Sequence, residues 1–300
     1  MSGIKYFPQD LNVENKTIIL RVDFNVPIIK KKIQDFTRIS LTLPFLEKLI
    51  KKKSKIILLS HLGRPKGMRD TSLSLLPIYK YLKEKLNINM YFYAGDINDE
   101  LETKCSYLKN GEILLIENIR FFKGELDNEE NFSEKIGKLG EVYINDAFSC
   151  SHRKQASIHG ITKFVKNVYA GPLLKEEVTA IDLVIKNRKG PVTCIIGGSK
   201  VSTKINVIFN LIKIVSNIVI VGAMANNFLA YNNYEIGKSL KEDNSFEIIK
   251  KIINEADKHK CNIIIPGDCS VSKSFEGQAI VKEVKSIEKD DIILDIGPKT

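Results

Sequence analysis

The sequence predicts an α/β protein in which a parallel sheet with helices on both faces is built twice. Short apolar runs alternate with longer segments of helical spacing, and this alternation restarts after Gly190. One helical segment, Leu173–Arg188, lies between the two series. The chain of 300 residues also has room for two domains at ~150 residues each. We therefore expect a first lobe over residues 1–170, a connecting helix over 171–188 and a second lobe over 189–300.

The first lobe is expected to contain four buried strands, because each of four runs is short, apolar and bounded by polar or glycine residues. These strands are Thr17–Asp23, Lys55–Ser60, Glu112–Asn118 and Glu141–Asp146. Between the strands, apolar residues recur with the spacing of one helix face. The predicted helices are Arg38–Lys52, Ser74–Leu86 and Asn128–Leu139.

The second lobe repeats this alternation. Its predicted strands, which we expect to be parallel, are Pro191–Ile196, Asn217–Gly222, Cys261–Pro266 and Ile292–Asp295. Two segments between them have helical spacing, Val201–Lys213 and Ser245–His259. Strands that alternate with helices are typical of βαβ units and therefore of a parallel sheet.

The composition is that of an ordinary globular protein, with 43% hydrophobic residues. No apolar run approaches the ~20 residues of a membrane span. The N-terminus, MSGIKYFPQD, lacks the basic and apolar segments of a signal peptide. The five cysteines are scattered and form no CxxC pair, which is typical of a reduced setting. We expect a cytoplasmic protein that does not associate with a membrane.

The net charge of +10 is compatible with nucleic acid, anionic lipid or a small polyanion as a partner. The kind of cation is more informative than the sum, because only seven of the 46 basic residues are arginine and none follows Arg188. Lysine is spread over the whole chain and is not interleaved with aromatic residues, as nucleic-acid platforms require. The alternative of a non-catalytic basic protein that binds anions or nucleic acid predicts tight duplex binding with a steep salt dependence.

Four arginines and a histidine lie beyond the carboxyl ends of predicted strands, where ligands bind in open α/β sheets. SHLGRP supplies His61 and Arg64, ENIRFFKGE supplies Arg120, NDAFSCSHR supplies Arg153, and Arg38 opens the helix after the first strand. A single arginine at such a position more often caps a helix or pairs with a nearby acid. Four at equivalent positions favour a site for a strongly anionic small molecule, because guanidinium groups bind carboxylate and phosphate in a two-pronged geometry.

The first strand runs directly into the polar residues of RVDFNVP. Asp23 and Asn25 alternate with apolar residues, so that on a strand both side chains would lie on the same side. Taken alone, the pair is equally consistent with an Asx-bonded turn and with a ligand site. Beside the arginines, these two side chains could serve the hydroxyl groups of a ligand that also carries phosphate.

The second lobe has a candidate phosphate site in GGSKVSTK. Gly197 and Gly198 let the backbone approach a phosphate or a base closely, and a helix that starts there would direct amide N–H groups at an anion. Lys200 and Lys204 are four residues apart and would share one helical face. Gly222 ends the next strand and would lie near the same ligand. The sequence contains neither of the common nucleotide loops, GxxxxGK followed by Ser or Thr and GxGxxG, and no residues spaced as metal ligands.

Seven segments resemble, in order, the motifs of phosphoglycerate kinase. They are RVDFNVP, SHLGRP, LLIENIRFFKGE, NDAFSCSHRKQAS, AGPLLKEE, GGSKVSTK and DIGPKT, and they extend from the first strand to the last residue. The resemblance implies two Rossmann-like lobes with parallel sheets, joined by a helix. It also implies an enzyme of glycolysis, a phosphotransferase with a carboxyl group as acceptor. The reaction would be reversible phosphoryl transfer between 1,3-bisphosphoglycerate and Mg·ADP, giving 3-phosphoglycerate and ATP.

The same resemblance implies that the first lobe binds the phosphoglycerate and the second the nucleotide. The glycerate phosphates and hydroxyl would be held by Asp23, Asn25, Arg38, His61, Arg64, Arg120 and Arg153. The nucleotide pocket would be lined by Gly197, Gly198 and Gly222. Lys200, with Arg38 as the other catalytic residue, would steady the transferring phosphoryl group, and Lys204 would contact the nucleotide phosphates. We expect a monomer without a nucleic-acid partner, whose lobes approach each other during transfer.

The chain departs from the family pattern at Ser199, where the family usually has alanine, and at VGAMANN, where it has a run of glycines. The family also continues past DIGPKT with several strands and helices, including the aspartate that holds Mg²⁺. We therefore expect an incomplete second lobe and a Mg²⁺ that comes with ADP or ATP but has no protein ligand in this chain. Residues 1–300 should fold in the first lobe and hold 3-phosphoglycerate weakly, without turnover.

Overall fold

The computed structural model describes residues 3–186 and 190–300. Contacts divide the chain into two compact units, Met1–Asp182 and Leu183–Thr300, and the boundary falls within a helix, Pro172–Lys186. The part of this helix that was predicted beyond Lys186 lies outside the described residues. Across the described ranges, no helix combines the length and the apolar character needed to cross a bilayer.

The first unit is built around a parallel sheet. The strands are β1 Thr17–Arg21, β2 Ile28–Ile29, β3 Lys32–Ile33, β4 Lys55–Leu59, β5 Met90–Tyr93, β6 Ile113–Ile116, β7 Val142–Asn145 and β8 Asn167–Ala170. The helices in this part of the chain are α1 Thr37–Lys51, α2 Leu76–Leu86, α3 Asp99–Ser106, α4 Lys123–Leu126, α5 Glu130–Lys138 and α6 Pro172–Lys186. Strands β2 and β3 form a small antiparallel hairpin, and the others form one parallel sheet in the order β5-β6-β4-β1-β7-β8.

Alternate residues of the central strands are buried on opposite faces of this sheet. Ile18 and Leu20 of β1 pack in a cluster with Leu46 of α1. Ile19 of the same strand packs in a second cluster with Ile136 of α5. All five side chains are 0% exposed. Because helices cover both faces, the central strands are apolar at nearly every position, and this is why they could be predicted as continuous apolar runs.

The four strands predicted in the first unit are confirmed as β1, β4, β6 and β7, and the three predicted helices as α1, α2 and α5. The prediction missed β2, β3, β5, β8, α3 and α4. The strands β5 and β8 form the two edges of the sheet and bury only two of their four residues each, so they lack the continuously buried apolar run of the central strands, although the aromatic residues of β5 (MYFY) are a strand signal. Helix α3 buries only Leu101 and Cys105, so that its apolar stripe is too narrow to recognise in the sequence.

The second unit contains two small sheets. Its strands are β9 Thr193–Gly197, β10 Asn217–Val221, β11 Asn262–Ile264, β12 Asp268–Ser272, β13 Ile280–Glu283 and β14 Ile292–Ile296. Its helices are α7 Ile205–Ile212, α8 Ala223–Tyr231 and α9 Phe246–His259. Strands β11-β10-β9 form a parallel sheet, whereas β13-β12-β14 form an antiparallel one.

The prediction of parallel strands is confirmed for β9, β10 and β11 and is wrong for Ile292–Asp295, which belongs to β14 in the antiparallel sheet. The link over 273–279 is shorter than the dozen or so residues of a parallel crossover, so it returns the chain antiparallel from β12 to β13. Strand β14 then pairs with the other edge of β12. The prediction also missed β12, β13 and α8. Helix α8 shows no exposed polar face, because Met224–Leu229 are all buried.

Candidate functional site

The carboxyl ends of β6, β4, β1 and β7 lie side by side at one edge of the first unit's sheet, because these strands are parallel neighbours. The predicted residues follow these ends in the chain. Asp23 and Asn25 follow β1, His61 and Arg64 follow β4, Arg120 follows β6, Arg153 follows β7, and Arg38 is the second residue of α1. The topology therefore brings the loops that carry them to one edge of the sheet.

Asp23 lies beyond the first strand, since β1 ends at Arg21 and not at Asp23 as predicted. Its Oδ2 accepts hydrogen bonds from Nη1 of Arg38 and from the hydroxyl of Ser149. Its Oδ1 accepts from the backbone N–H of Asn25 at 2.9 Å. The Asx-bonded turn is therefore present, and because Asp23 also bonds an arginine of the predicted site, the turn does not exclude a ligand site there. The Arg38 side chain is 47% exposed, so its other N–H groups can bind an anion.

Asn25 joins the end of β1 to the loop after β4. Its Oδ1 accepts from the N–H of Gly63 at 2.8 Å, which leaves the Nδ2 amide as the group it can offer a ligand. Gly63 has φ +62, and a Cβ there would lie 2.7 Å from Cδ2 of Leu73, so this position favours glycine. The exposed Arg64 follows directly. The bond from Gly63 therefore fixes the start of the loop that carries Arg64.

Arg21 and His61 form a buried contact at the same edge, with exposed fractions of 0% and 3%. Arg21 donates from Nε to the hydroxyl of Ser157 at 3.0 Å and from Nη1 to the carbonyl of Val22. Its Nη2 lies 3.1 Å from Nδ1 of His61. Burial, followed by the positive charge of Arg21, lowers the pKa of His61 to about 2. His61 is therefore neutral at physiological pH and serves as a hydrogen-bonding group, not as a cation.

Glu125 supplies a carboxyl group to this buried cluster. It accepts hydrogen bonds from the N–H and the hydroxyl of Ser157 at 2.6 and 2.7 Å. Burial raises the pKa of Glu125, and the charge of Arg21 opposes that rise. The sequence analysis missed both Glu125 and Ser157. The available signal was chemical, since an arginine within a buried strand requires an acid or several acceptors nearby.

Arg120 is 5% exposed, and not all of the nitrogens of its guanidinium group are hydrogen-bonded. Its Nη1 donates to the carbonyl of Gly63 at 2.9 Å and its Nη2 to the side chain of Gln155 at 3.5 Å. Its Nε is buried without a hydrogen-bond partner in the described part of the chain. Burial, followed by the charges of Arg21 and Arg153, lowers the pKa of Arg120. An incompletely satisfied guanidinium beside other cations produces a field that attracts an anion.

A cleft of about 450 Å³ opens beside this edge. Asp23, Arg38 and Ser149 line it together with Asp146. The other five residues predicted for the glycerate site lie outside its lining. The arginine and acid that bond each other therefore face the cleft, while His61 and Arg120 are buried outside its lining.

Asp146 is a lining residue that the sequence analysis missed. It is 3% exposed, and its Oδ1 accepts from the N–H of Leu174 in the first turn of α6 at 3.0 Å. Its Oδ2 is buried and has no hydrogen-bond partner among residues 3–186 and 190–300. Burial raises the pKa of Asp146 to about 6. This carboxyl therefore changes charge near neutral pH at the start of the helix.

In the second unit, glycines stand at the ends of two adjacent parallel strands. Gly197 ends β9, and Gly222 follows β10 with φ 65 and ψ −163, a conformation almost confined to glycine. A Cβ at Gly222 would lie 3.5 Å from the backbone nitrogen of Gly198. The N–H of Met224 donates to the carbonyl of Gly198 at 2.7 Å. At the point where α8 begins, the ends of β9 and β10 therefore lie close together and carry no side chains, and we call this the bare backbone of the second unit.

The predicted helix start after GGSK is wrong. Helix α7 begins at Ile205 and not at Val201, and the residues before it form a turn. Lys200 and Lys204 therefore do not share a helical face. Lys204 directly precedes α7, and its Cε lies 4.0 Å from the position of a Cβ on Gly198. The structure thus brings Lys204 to the bare backbone and leaves Lys200 in the loop before the turn.

An acid from another part of the unit holds this turn. The Glu242 carboxylate accepts from the N–H of Ser202 at 3.1 Å and from its hydroxyl. The N–H of Glu242 donates to Oδ1 of the buried Asn227 at 2.7 Å. The Nδ2 of Asn227 donates to the carbonyls of Ala223 at 3.1 Å and Met224 at 3.4 Å. Hydrogen bonds therefore link the turn to the start of α8, through contacts that no local sequence pattern reveals.

The acids of the described residues that are close enough to share a metal ion are Glu288, Asp290 and Asp291. Lys273 lies 2.9 Å from Glu288 and 2.6 Å from Asp290. Lys282 lies 2.8 Å from Asp291. Because these ammonium groups neutralise the carboxylates, the cluster is an ion-pair network and does not fit a cation site.

Comparison with known proteins gives one consistent family. A family model described as phosphoglycerate kinase matches residues 8–300. The chain is 40% identical over 293 residues to the phosphoglycerate kinase of Wolbachia sp. subsp. Drosophila simulans (strain wRi). It is 44% identical over 294 residues to that of Buchnera aphidicola subsp. Schizaphis graminum (strain Sg). Both alignments cover 97% of this chain and 73% of the relative.

Solved structures agree with this result. The phosphoglycerate kinase of Coxiella burnetii superposes with a TM-score of 0.82 at 34% identity, over 97% of this chain and 74% of that one. The phosphoglycerate kinase of Pyrococcus horikoshii OT3 superposes with a TM-score of 0.80 at 24% identity, over 98% of this chain and 76% of that one, and this second likeness bears on the fold alone.

Proposed function

The chain belongs to the phosphoglycerate kinase family, and we propose that its first unit binds the phosphoglycerate and its second unit the nucleotide. Enzymes of this family are phosphotransferases of glycolysis. They move a phosphoryl group reversibly between 1,3-bisphosphoglycerate and ADP, giving 3-phosphoglycerate and ATP. Membership of the family assigns this reaction to the chain.

The observation that carries the glycerate-site proposal is the set of guanidinium groups around His61. After burial, the charges of Arg21, Arg120, Arg153 and Arg38 all lower its pKa. Like charges gathered at a 3% exposed residue repel one another, so that a bound anion would stabilise the group. 3-Phosphoglycerate carries both phosphate and carboxylate, which are the groups that arginine binds best.

Each proposed glycerate-site residue has a role that suits the chemistry of its side chain. Arg38, Arg64, Arg120 and Arg153 neutralise the oxygens of phosphate and carboxylate. His61 and Asn25 donate hydrogen bonds from a neutral imidazole and an amide, while Asp23 orients Arg38 and faces the substrate hydroxyl. Arg38 is also proposed as catalytic, because its exposed guanidinium can follow charge onto the moving phosphoryl group.

The nucleotide site is proposed at the bare backbone of the second unit. Gly197, Gly198 and Gly222 leave room for a base or phosphate to approach the strand ends. The amides at the start of α8 favour an anion there. Lys204, beside this backbone, would contact the nucleotide phosphates, and Lys200 would steady the transferring phosphoryl group.

The chemistry needs no general base. In the direction of ATP formation, an oxygen of the terminal ADP phosphate attacks the phosphorus of the acyl phosphate. The bond between that phosphorus and the carboxyl oxygen breaks, and the carboxylate leaves with the electron pair. No proton changes place, so the tasks of the protein are orientation and neutralisation of charge, which cationic side chains and backbone amides perform.

We propose that Mg²⁺ enters this reaction as part of the nucleotide substrate. Among the residues that the structure describes, the acids close enough together to share a metal ion are neutralised by lysines and do not fit Mg²⁺. No residue of the chain is therefore assigned to the metal. The nucleotide phosphates would bring it to the reaction, as they do in phosphoryl transfer generally.

The proposal also includes a cytoplasmic monomer that binds neither nucleic acid nor membrane, and closure of the two units during transfer. The five cysteines are free, which suits a reduced compartment. Light scattering on the purified chain should give the mass of one copy. X-ray scattering on a chain extended to the length of the family should give a smaller radius of gyration when both substrates are bound, and an unchanged radius would contradict closure.

Calorimetry tests the substrate assignment directly. Residues 1–300 would be titrated with 3-phosphoglycerate and, at matched ionic strength, with inorganic phosphate. We expect 3-phosphoglycerate to bind more tightly, because the site holds a carboxylate and a hydroxyl in addition to a phosphate. Equal affinities would mean a general anion site. Titration with ADP in the presence of Mg²⁺ tests the second unit separately.

A further inference from the structure

Arg21 lies against one ring nitrogen of His61, and we propose that Arg21 is a positioning residue that fixes the tautomer of His61. An arginine side chain has five N–H donors and no acceptor. Since Nη2 of Arg21 lies 3.1 Å from Nδ1 of His61, Nδ1 must be the unprotonated nitrogen that accepts the bond. The proton of the neutral imidazole is then on Nε2. This inference rests on the proposed function for its ligand, but the tautomer is a property of the free protein.

The contacts of Arg21 hold its guanidinium in place. Nε donates to the hydroxyl of Ser157 at 3.0 Å, and Nη1 donates to the carbonyl of Val22. Ser157 is itself fixed by two hydrogen bonds to Glu125, and both of these residues are 0% exposed. A planar guanidinium anchored through Nε and Nη1 directs Nη2 in one direction. The fold therefore holds Nη2 of Arg21 in place as the hydrogen-bond donor to Nδ1 of His61.

The surroundings of His61 keep it neutral as well as oriented. The cations that act on it come from three parts of the unit besides β1, namely Arg38 of α1, Arg120 after β6 and Arg153 after β7. Burial and these cations, with Arg21, hold the pKa of His61 at about 2. The acid in the cluster, Glu125, reaches Arg21 through Ser157. His61 thus offers an anion one neutral Nε2–H donor whose charge does not vary between pH 5 and 8.

Nuclear magnetic resonance of the ¹⁵N-labelled protein without ligand tests the tautomer. Long-range ¹H–¹⁵N correlation spectra would be recorded from pH 5 to 8, and His61 would be assigned by the signals lost in His61→Gln. We expect one protonated Nε2, an unprotonated Nδ1 displaced by the bond it accepts, and no titration over this range. A protonated Nδ1, or signals of His61 that titrate within it, would overturn the inference even if no variant folds.

Two variants separate positioning from general stability. Arg21→Met removes the donor, so we expect the Nδ1 resonance to move to the position of a free acceptor and the pKa of His61 to rise. Tyr143→Phe is the matched control, because Tyr143 is buried and its hydroxyl donates to the carbonyl of Ser157 at 2.6 Å and not to a ring nitrogen of His61. Its His61 signals should match those of the wild type, and the same change in both variants would contradict the inference.

The consequence for binding can be separated from the proposed function. Arg21→Met should weaken 3-phosphoglycerate binding about tenfold, because the donor that meets the anion is no longer fixed. Affinity unchanged in that variant, with a changed Nδ1 signal, would show that the tautomer does not matter for binding and would reject the positioning role. If the wild type shows the expected tautomer but does not bind 3-phosphoglycerate, the substrate proposal fails and the tautomer assignment stands.

Discussion

The Oδ2 atom of Asp23 accepts a hydrogen bond from Nη1 of Arg38, and both side chains line the cleft of the first unit. This bond uses one of five guanidinium donors, so it orients Arg38 without saturating it. Asp23 is 13% exposed and Arg38 is 47% exposed, so the acid is mostly covered while the cation faces solvent. The pair therefore presents an oriented positive group to a ligand.

Replacement of Arg38 should weaken binding of the acid substrate. In Arg38→Ala we expect a roughly 10- to 100-fold loss of affinity for 3-phosphoglycerate, since a hydrogen bond to a charged group contributes about 1.5–3 kcal/mol. Calorimetry at fixed ionic strength measures the change. Arg69→Ala is the matched control, because Arg69 pairs with Asp96 at 2.8 Å and does not line the cleft. Equal affinity in the two variants would remove Arg38 from the site.

The residues that the parallel sheet of the first unit brings to one edge could be predicted from the sequence. Strand ends of a parallel sheet meet at one edge, so a motif after each strand sufficed to group Arg38, His61 and Arg120. The hydrogen bonds behind them could not be predicted. Glu125 reaches Ser157 across 32 positions, and Arg21 reaches His61 across 40. Such contacts depend on which side chains the packed core brings together, and local spacing carries no record of that.

Gly222 should not tolerate a side chain. Its φ of 65 and ψ of −163 lie in a region where a Cβ is strained, so Gly222→Ala should lower the free energy of unfolding by about 1–3 kcal/mol. Urea denaturation followed by circular dichroism measures this. In Gly267→Ala, the matched control from the same unit, a Cβ would meet nothing within 4 Å and φ is not positive, so a much smaller change is expected. Equal losses would show that the conformation of Gly222 is not the cause.

Asp146 should make stability fall as the pH rises from about 4 to 6. Its folded-state pKa is raised by burial from 3.8 to about 6, so in this window the folded protein binds the proton more tightly than the unfolded chain. Its stabilising contribution is complete below the unfolded pKa and is lost as the pH passes the folded one. At about 1.4 kcal/mol per pKa unit, the loss approaches roughly 3 kcal/mol.

The variant Asp146→Asn isolates this effect because it cannot titrate. The difference in unfolding free energy between variant and wild type should change across pH 4 to 6 and be constant above that range. Asp35→Asn is a control of opposite sign, since hydrogen bonds from Thr37 lower the pKa of Asp35 and its contribution is lost as the pH falls. A pH-independent difference for Asp146→Asn would contradict the raised pKa.

The second unit shows where prediction from spacing fails. The interval from Lys200 to Lys204 suits a helix, but the amide of Ser202 donates to Glu242, 40 residues away, and α7 begins only at Ile205. An acid that binds a backbone N–H offers the chain an alternative to helical hydrogen bonding. The prediction that β14 is a parallel strand failed for a similar reason. Its pairing depends on a short link between other strands and not on its own apolar pattern.

Glu242 should matter for nucleotide binding through its hydrogen bonds more than through its charge. The hydroxyl of Ser202 holds the pKa of Glu242 below its usual range, and Lys200 contributes to this shift. Glu242→Ala frees the turn that carries Lys204, so we expect a severalfold weaker affinity for ADP in calorimetry. Faster hydrogen exchange at the amide of Ser202 should accompany it.

Glu242→Gln separates the two effects. The glutamine Oε1 can still accept from the N–H of Ser202, while a negative charge close to Lys200 is removed. Charges at this exposed site are screened at physiological ionic strength, so we expect an affinity for ADP within about twofold of the wild type, or slightly tighter at low salt. If Glu242→Gln loses as much affinity as Glu242→Ala, the charge is what matters. If neither variant changes affinity or exchange, Glu242 does not position the turn, and Lys204 reaches the nucleotide without it.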